Sequence, residues 1–257
     1  MGTIRDGTAK GVRNIIRTTV RNRSLSAFVM ATLLCVACSE ESVTTKPTEV
    51  PGCPDAPLIH SGEATFYTFA SGAGNCMFDS TPNDLMVGAI NNTDYAGSAL
   101  CGACAMVTGP RGTITIRIVD RCPECPQGNI DLSPLAFSLI ADTSLGRVPI
   151  HWQLIECGVT GPIVYHFKDG SNQWWTAVQV RNHRYPVRSL EYLTPQHTYK
   201  LVNRVDYNYF VEPAGMGPGP YTFRVTDMYG HTLVDTAIVP VENGDVSGRA
   251  QFPPCSR

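Results

Sequence analysis

Two carboxylates frame the run Val119-Asp120-Arg121-Cys122-Pro123-Glu124-Cys125-Pro126-Gln127-Gly128-Asn129-Ile130-Asp131-Leu132-Ser133-Pro134. The β-branched alternation from Thr113 to Val119 predicts a strand that delivers Asp120 at its end. Ser133 followed by Pro134 predicts a helix start over 134–141. Asp131 would then sit beside a helix N-terminus, where the dipole favours the ionised carboxylate. Two acids returned to one place by a strand and a proline-stiffened loop are what general acid–base work needs. The plainer alternative is that Asp120 ends a strand and Asp131 assists a helix cap.

The elements around this run belong to an exported chain. Six Lys/Arg residues precede the apolar run 27–37, which is too short to cross a bilayer, so residues 1–37 read as a signal peptide. Cleavage before Cys38 would leave a cysteine for lipid attachment, although Cys35 stands where such signals usually carry Leu. Secretion, or anchoring to the outer surface through lipidated Cys38, is the expected localisation. Removing the signal's net +5 from the formal −2 leaves −7, which excludes a nucleic-acid partner. Residues 38–57, rich in Ser, Thr, Glu and Pro, predict a flexible spacer.

Eight cysteines follow Cys38: Cys53, Cys76, Cys101, Cys104, Cys122, Cys125, Cys157 and Cys255. Cys101-x2-Cys104 and Cys122-x2-Cys125, with 17 residues between, fit a four-cysteine zinc site. Behind an export signal, an even count favours disulfides instead, with connectivity open. No metal and no cofactor is expected.

Residues 58–160 alternate short β-rich runs (64–68, 103–107, 113–119, 150–155) with Gly, Asn and Pro, and only 134–141 reads as helix. A small β-barrel is predicted. The breaker cluster Gly158-Val159-Thr160-Gly161-Pro162 marks a boundary. Residues 161–257 then give six or seven strands without a helix, as in a β-sandwich. Trp174 and Trp175 follow the turn-forming Lys168-Asp169-Gly170-Ser171-Asn172, and Tyr207 and Tyr209 lie in another polar segment. Inter-sheet packing is the ordinary role of such a Trp. A row of exposed rings would instead stack on the apolar faces of sugars.

Together these pieces resemble the expansins and their microbial relatives. Gly62-Glu63-Ala64-Thr65-Phe66-Tyr67, Cys101-Gly102-Ala103-Cys104, Val119-Asp120-Arg121-Cys122 and Ile130-Asp131-Leu132-Ser133 follow in the family's order. In the second half, 174–187, Asp206-Tyr207-Asn208-Tyr209-Phe210 and Gln251-Phe252-Pro253 resemble the bacterial expansin binding domain. The resemblance spans roughly residues 60–254. It implies an all-β chain: a six-stranded double-psi β-barrel (58–160) followed by an immunoglobulin-like β-sandwich (161–257) that binds carbohydrate. It further implies a barrel groove in which Asp131 is required for wall loosening, with Thr65, Tyr67 and Asp120 assisting. The aromatic platform maps onto Trp174, Trp175 and Tyr207, with Lys168 beside it, and requires the chain near the tryptophans to leave regular strand geometry.

There are departures. Plant members carry His-Phe-Asp where this chain has Asn129-Ile130-Asp131, and bacterial ones often have an aromatic at the place of Cys122. Related endoglucanase barrels keep a base near the first strand, where this chain offers only Glu63. The expectation is therefore a monomer that binds cellulose and associated matrix polysaccharides and loosens them without hydrolysis. The alternatives are a cleaving enzyme with Asp131 as acid, endoglucanase-like or a lytic transglycosylase acting on peptidoglycan, and a binding protein whose barrel is inert.

Overall fold

The computed structural model describes residues 52–54, 56–68 and 70–255. The expected signal peptide, Cys38 and most of the expected spacer lie outside the described residues.

Six strands close the first barrel: β1 (His60–Phe66), β2 (Val87–Asn91), β3 (Cys104–Gly109), β4 (Gly112–Cys122), β5 (Ile130–Leu132) and β6 (Val148–Ile155), in the spatial order β1-β5-β2-β4-β3-β6. Two of the pairs, β1 with β5 and β2 with β4, are parallel, and the rest are antiparallel. A parallel pair cannot be joined by a hairpin, so each requires a crossover. A closed six-stranded barrel with these two parallel pairs is a double-psi barrel. Its interior is filled by Ile90, Ile116, Ile118, Ile130, Leu132, Phe137 and Trp152, each no more than 1% exposed.

Two of these strands escape a period-two reading. All five residues of β2 are buried, so the strand shows no alternation. Its Gly88 is required because a Cβ there would meet Ile116, Ile130 and Leu132 side-chain atoms at 3.0–3.2 Å. Strand β5 has only three residues. The short helix α1 (Asn92–Tyr95) was likewise not expected, and it is capped by the Asn91 side chain, which accepts from Asp94 N. Helix α2 (Pro134–Ile140) starts as the sequence predicts, with Ser133 Oγ accepting from Ala136 N at 3.0 Å and Pro134 in the first turn.

Gly62 and Gly128 bring β1 against the loop that returns to β5. A Cβ on Gly128, whose φ is +84°, would fall 2.2 Å from Ser61 O, and one on Gly62 would fall 2.3 Å from Gly128 O. Trp152 fixes the same corner, donating from Nε1 to Gly128 O at 2.8 Å and stacking on His60 at 3.9 Å. Gly128→Ala should therefore lower stability by about 2–3 kcal/mol in urea unfolding. A change below about 0.5 kcal/mol, ordinary for a surface site, would mean that this close approach is not rigid.

The second sheet holds β7 (Val164–Phe167), β8 (Thr176–Arg181), β9 (Val187–Leu193), β10 (Tyr199–Arg204), β11 (Phe210–Glu212), β12 (Tyr221–Asp227), β13 (Thr232–Ile238) and β14 (Gly244–Ser247), ordered β13-β12-β9-β10-β11-β8-β7-β14. Strand β10 pairs with β9 through Tyr199 to Val202 and with β11 through Asn203 and Arg204, so one strand passes between two layers. The layers face each other. Phe223 of β12 packs on Tyr165 and Phe167 of β7 with ring centroids 5.0 and 6.4 Å apart, although the two strands are distant in the order. Strands β9 and β14 went unpredicted, β9 because the register shift between Thr226 and Asp227 of its partner breaks the alternation, and β14 because Val246 is its only apolar residue. Strand β13 ends before Pro240 rather than running to Val241, and Val239 and Val241 are exposed.

All eight candidate cysteines form disulfides: Cys53–Cys255, Cys76–Cys101, Cys104–Cys157 and Cys122–Cys125. The zinc alternative fails, because Cys101 and Cys104 bond to different partners away from the second pair. Cys53, inside the expected spacer, is tied to the segment that follows β14. Hydrogen bonds join barrel to sandwich: Ser98 Oγ to Val205 O (2.8 Å), Gln179 Nε2 to Cys76 O (2.9 Å) and Tyr185 OH to Glu156 Oε2 (2.9 Å).

Candidate functional site: a carboxylate row and an aromatic turn

The barrel register assembles a row across four adjacent strands. Thr65 of β1 pairs with Asp131 of β5, Asp131 with Ala89 of β2, and Ala89 with Asp120 of β4. The two aspartates therefore flank a single strand, and two inter-strand spacings separate their backbones by roughly 9.5 Å. Three of the four candidate barrel residues, Thr65, Asp120 and Asp131, lie in this row.

Thr65 Oγ1 donates to Asp131 Oδ1 at 2.5 Å. Asp131 sits within β5, two residues ahead of the α2 cap, rather than at the helix end. The expected stabilisation of its charge by the helix dipole is not what governs it. Burial raises its pKa, the Thr65 hydroxyl opposes this, Glu124 and Asp120 add to the rise, and Arg147 counters it. The net direction is upward, toward a carboxyl that keeps its proton longer.

Tyr67 completes the group. Its hydroxyl is buried and has no hydrogen-bond partner among the described residues, and its pKa is pushed well up, first by burial and then by the charges of Asp120 and Asp131. A neutral phenol beside two carboxylates is a donor awaiting an acceptor.

Asp120 is more committed. It lies inside β4 rather than at its end, and its Oδ1 accepts from Asn75 N at 2.6 Å and from Arg121 N at 2.8 Å. Gly74 permits this, since a Cβ there would fall 2.5 Å from Asp120 Cβ. Glu63 is exposed on β1, and its carboxylate is held by Arg147 at 2.8 Å.

In the sandwich, Asn172 bends the chain away from strand geometry. Its Oδ1 accepts from Trp174 N at 2.9 Å and Trp175 N at 3.2 Å, while its own N–H donates to Trp175 O at 2.7 Å. Beneath the turn, Gly217 N donates to Gln173 O at 3.1 Å. Gly215 has φ +73°, and a Cβ there would fall 2.1 Å from Gln173 O. Trp174 is 71% exposed and Trp175 is half-buried. Tyr207 and Lys168 are also half-buried. Tyr209 does not join an exposed row: it is 3% exposed, with its ring 6.2 Å from His166.

The Tyr207 loop is fastened to the barrel beside the carboxylate row. Asp206 O accepts from Tyr95 OH at 2.6 Å and from Asn75 Nδ2 at 2.8 Å, and Arg121 Nη1 reaches Asp206 Oδ2 at 3.5 Å. Asn75 thus touches both Asp120 and the segment carrying Tyr207. Sequence reasoning missed Asn75, Tyr95 and Gly215, whose roles appear only once distant segments are packed together, and it read Asn172 only as part of a turn.

A family model described as "Lytic transglycolase" matches residues 87–152. The chain is 35% identical over 240 residues to Expansin-YoaJ of Bacillus subtilis (strain 168), covering 89% of this chain and 98% of that protein. Expansin-like protein 1 of Dictyostelium discoideum is 29% identical over 198 residues, 72% of this chain and 68% of that one. The crystal structure of apo expansin from Clavibacter michiganensis matches with a TM-score of 0.72 and 31% identity, over 77% of this chain and 99% of that one. A point mutant of the same expansin, in complex with cellohexaose, matches with a TM-score of 0.72 and 30% identity over the same shares. With this identity over nearly the whole of a relative, and with both the barrel and the second sheet present, the chain belongs to the expansin family.

Proposed function

We propose that this protein is exported, binds cellulose through Trp174, Trp175 and Tyr207 with Lys168 beside them, and uses Asp131 in the barrel groove to loosen polysaccharide contacts without net hydrolysis. The observation that carries the reading is the row Thr65–Asp131–Ala89–Asp120, with its unpartnered Tyr67 hydroxyl, fastened through Asn75 to the loop that bears Tyr207. A flat glucan stacked on the indoles buries C–H surface there. Asp131 and Tyr67 then exchange hydrogen bonds with sugar hydroxyls that otherwise bridge neighbouring chains, and the charge-assisted ones are the strong ones. The cellohexaose complex of the Clavibacter expansin supports a cellulosic ligand for this chain.

The donor set argues against hydrolysis. Inversion needs an acid and a separate base that holds a water. Asp120 Oδ1 is occupied by two backbone N–H groups, and Glu63 is paired with Arg147. A second reading, lytic cleavage with one acid, is favoured by the family-model description and by the raised pKa of Asp131. Incubation of the purified protein with microcrystalline cellulose and with peptidoglycan sacculi separates the readings. Neither soluble cello-oligosaccharide nor anhydro-muropeptide is expected, and anhydro-muropeptide release that Asp131→Asn abolishes would establish the lytic reading instead.

A further inference from the structure

A cavity of about 460 Å³ opens at the junction of barrel and sandwich, lined among others by Phe78, Asp84, Met86 and Arg117 from the barrel and by His183 from the sandwich. None of these residues belongs to the carboxylate row or to the aromatic turn. Its size falls within the range of small-ligand pockets, and domain junctions are a usual place for such sites.

The lining is chemically uneven. Arg117 is half-buried, donates to Thr81 Oγ1 at 3.3 Å, lies over the Phe78 ring at 5.5 Å and forms no ion pair among the described residues. A guanidinium with donors to spare is built for bidentate capture of a carboxylate. Burial already lowers its pKa, with only Asp84 working the other way, so an added anion would be welcome.

His183 is 4% exposed and its Nδ1 has no hydrogen-bond partner among the described residues. Its pKa is lowered to about 4, by burial first, then by Arg204 and more weakly by Arg117, against opposing backbone contacts at Tyr185 and Cys101. It is therefore neutral and contributes hydrogen bonding rather than charge. Asp84 accepts from Met86 N at 3.4 Å and would accept sugar hydroxyls. Phe78 and Met86 supply an apolar face.

One carboxylate receptor, hydroxyl acceptors and an apolar face together describe a sugar that carries an acid. We propose that this cavity is a subsite for a uronate residue, a pyranose bearing a carboxylate, held with its carboxylate on Arg117 and its C–H face on Phe78. Glucose lacks the group that Arg117 would pair. The subsite would give the protein a second polysaccharide class, distinct from cellulose, and it does not rest on the cellulose reading.

The test is an NMR titration of the full chain with glucuronate, a galacturonate oligomer, glucose and acetate, following Gly102, Val159 and the His183 ring. Glucuronate should produce saturable shifts with a Kd of a few mM, and glucose and acetate should each bind at least about tenfold more weakly. Response to the oligomer as well would place the ligand within a polymer, whereas response to glucuronate alone would restrict the subsite to chain ends or free sugar; either supports uronate recognition. Arg117→Gln should abolish the response and leave cellulose binding intact, while Arg117→Lys, which keeps the charge, should weaken it about tenfold. Trp174→Ala should leave it unchanged. An absence of saturable shifts up to about 50 mM glucuronate, an equal response to glucose, persistence in Arg117→Gln, or loss in Trp174→Ala would each overturn the assignment.

Discussion

Replacing Asp131 with Asn should reduce the weakening of stretched cellulosic strips by at least about tenfold, while cellulose binding by the sandwich stays within about twofold. The asparagine keeps the shape and the contact with Thr65 but can neither ionise nor give up a proton. The same variant carries a stability signature. Burial raises the folded-state pKa of Asp131, so the folded protein holds this proton to higher pH than the unfolded chain does. No penalty applies below the ordinary carboxylate pKa, and the penalty grows as pH rises through the folded value. Asp131→Asn should therefore melt above the parent protein at neutral pH, with the gain shrinking toward zero in acid. An Asp131→Asn protein that weakens strips normally would remove Asp131 from its assigned role, and one that melts below the parent at neutral pH would contradict the burial penalty.

The second large effect is expected at Trp174. Trp174 is 71% exposed, so Trp174→Ala should change stability by less than about 0.5 kcal/mol. It should nevertheless lower cellulose affinity at least about tenfold, because an exposed indole is the largest flat apolar surface a side chain offers to a sugar ring. Trp175→Ala mixes two consequences, since the half-buried Trp175 also closes the bridge to Asn172. Pull-down on microcrystalline cellulose and a thermal melt of each variant separate binding from folding. Unchanged binding by Trp174→Ala would mean that the aromatic turn is not the platform.

How much of this was legible in sequence depends on how local each feature is. The α2 start was readable because Ser133 and Pro134 are neighbours. The alternation from Thr113 to Val119 announced β4. The carboxylate row was not readable, because it is created by the pairing of β5 and β4 with β2, a fully buried strand without alternation. The main influence on the Asp131 carboxyl was misread for the same reason: nearness to the helix in sequence suggested the dipole, whereas its position inside β5 makes burial the stronger influence and raises its pKa. The bend at the tryptophans was expected from family resemblance alone. Its physical cause, Asn172 above and Gly215 below, joins residues more than forty positions apart.

The central claim is that this chain weakens polysaccharide networks without cutting them. The most direct measurement is creep of clamped cellulosic strips under constant load with the purified protein, with soluble sugar and new reducing ends assayed in the same bath. Accelerated extension without released sugar or reducing ends, abolished in Asp131→Asn, is the predicted result. Extension that rises in proportion to new reducing ends would contradict the account and make the protein a glycosidase.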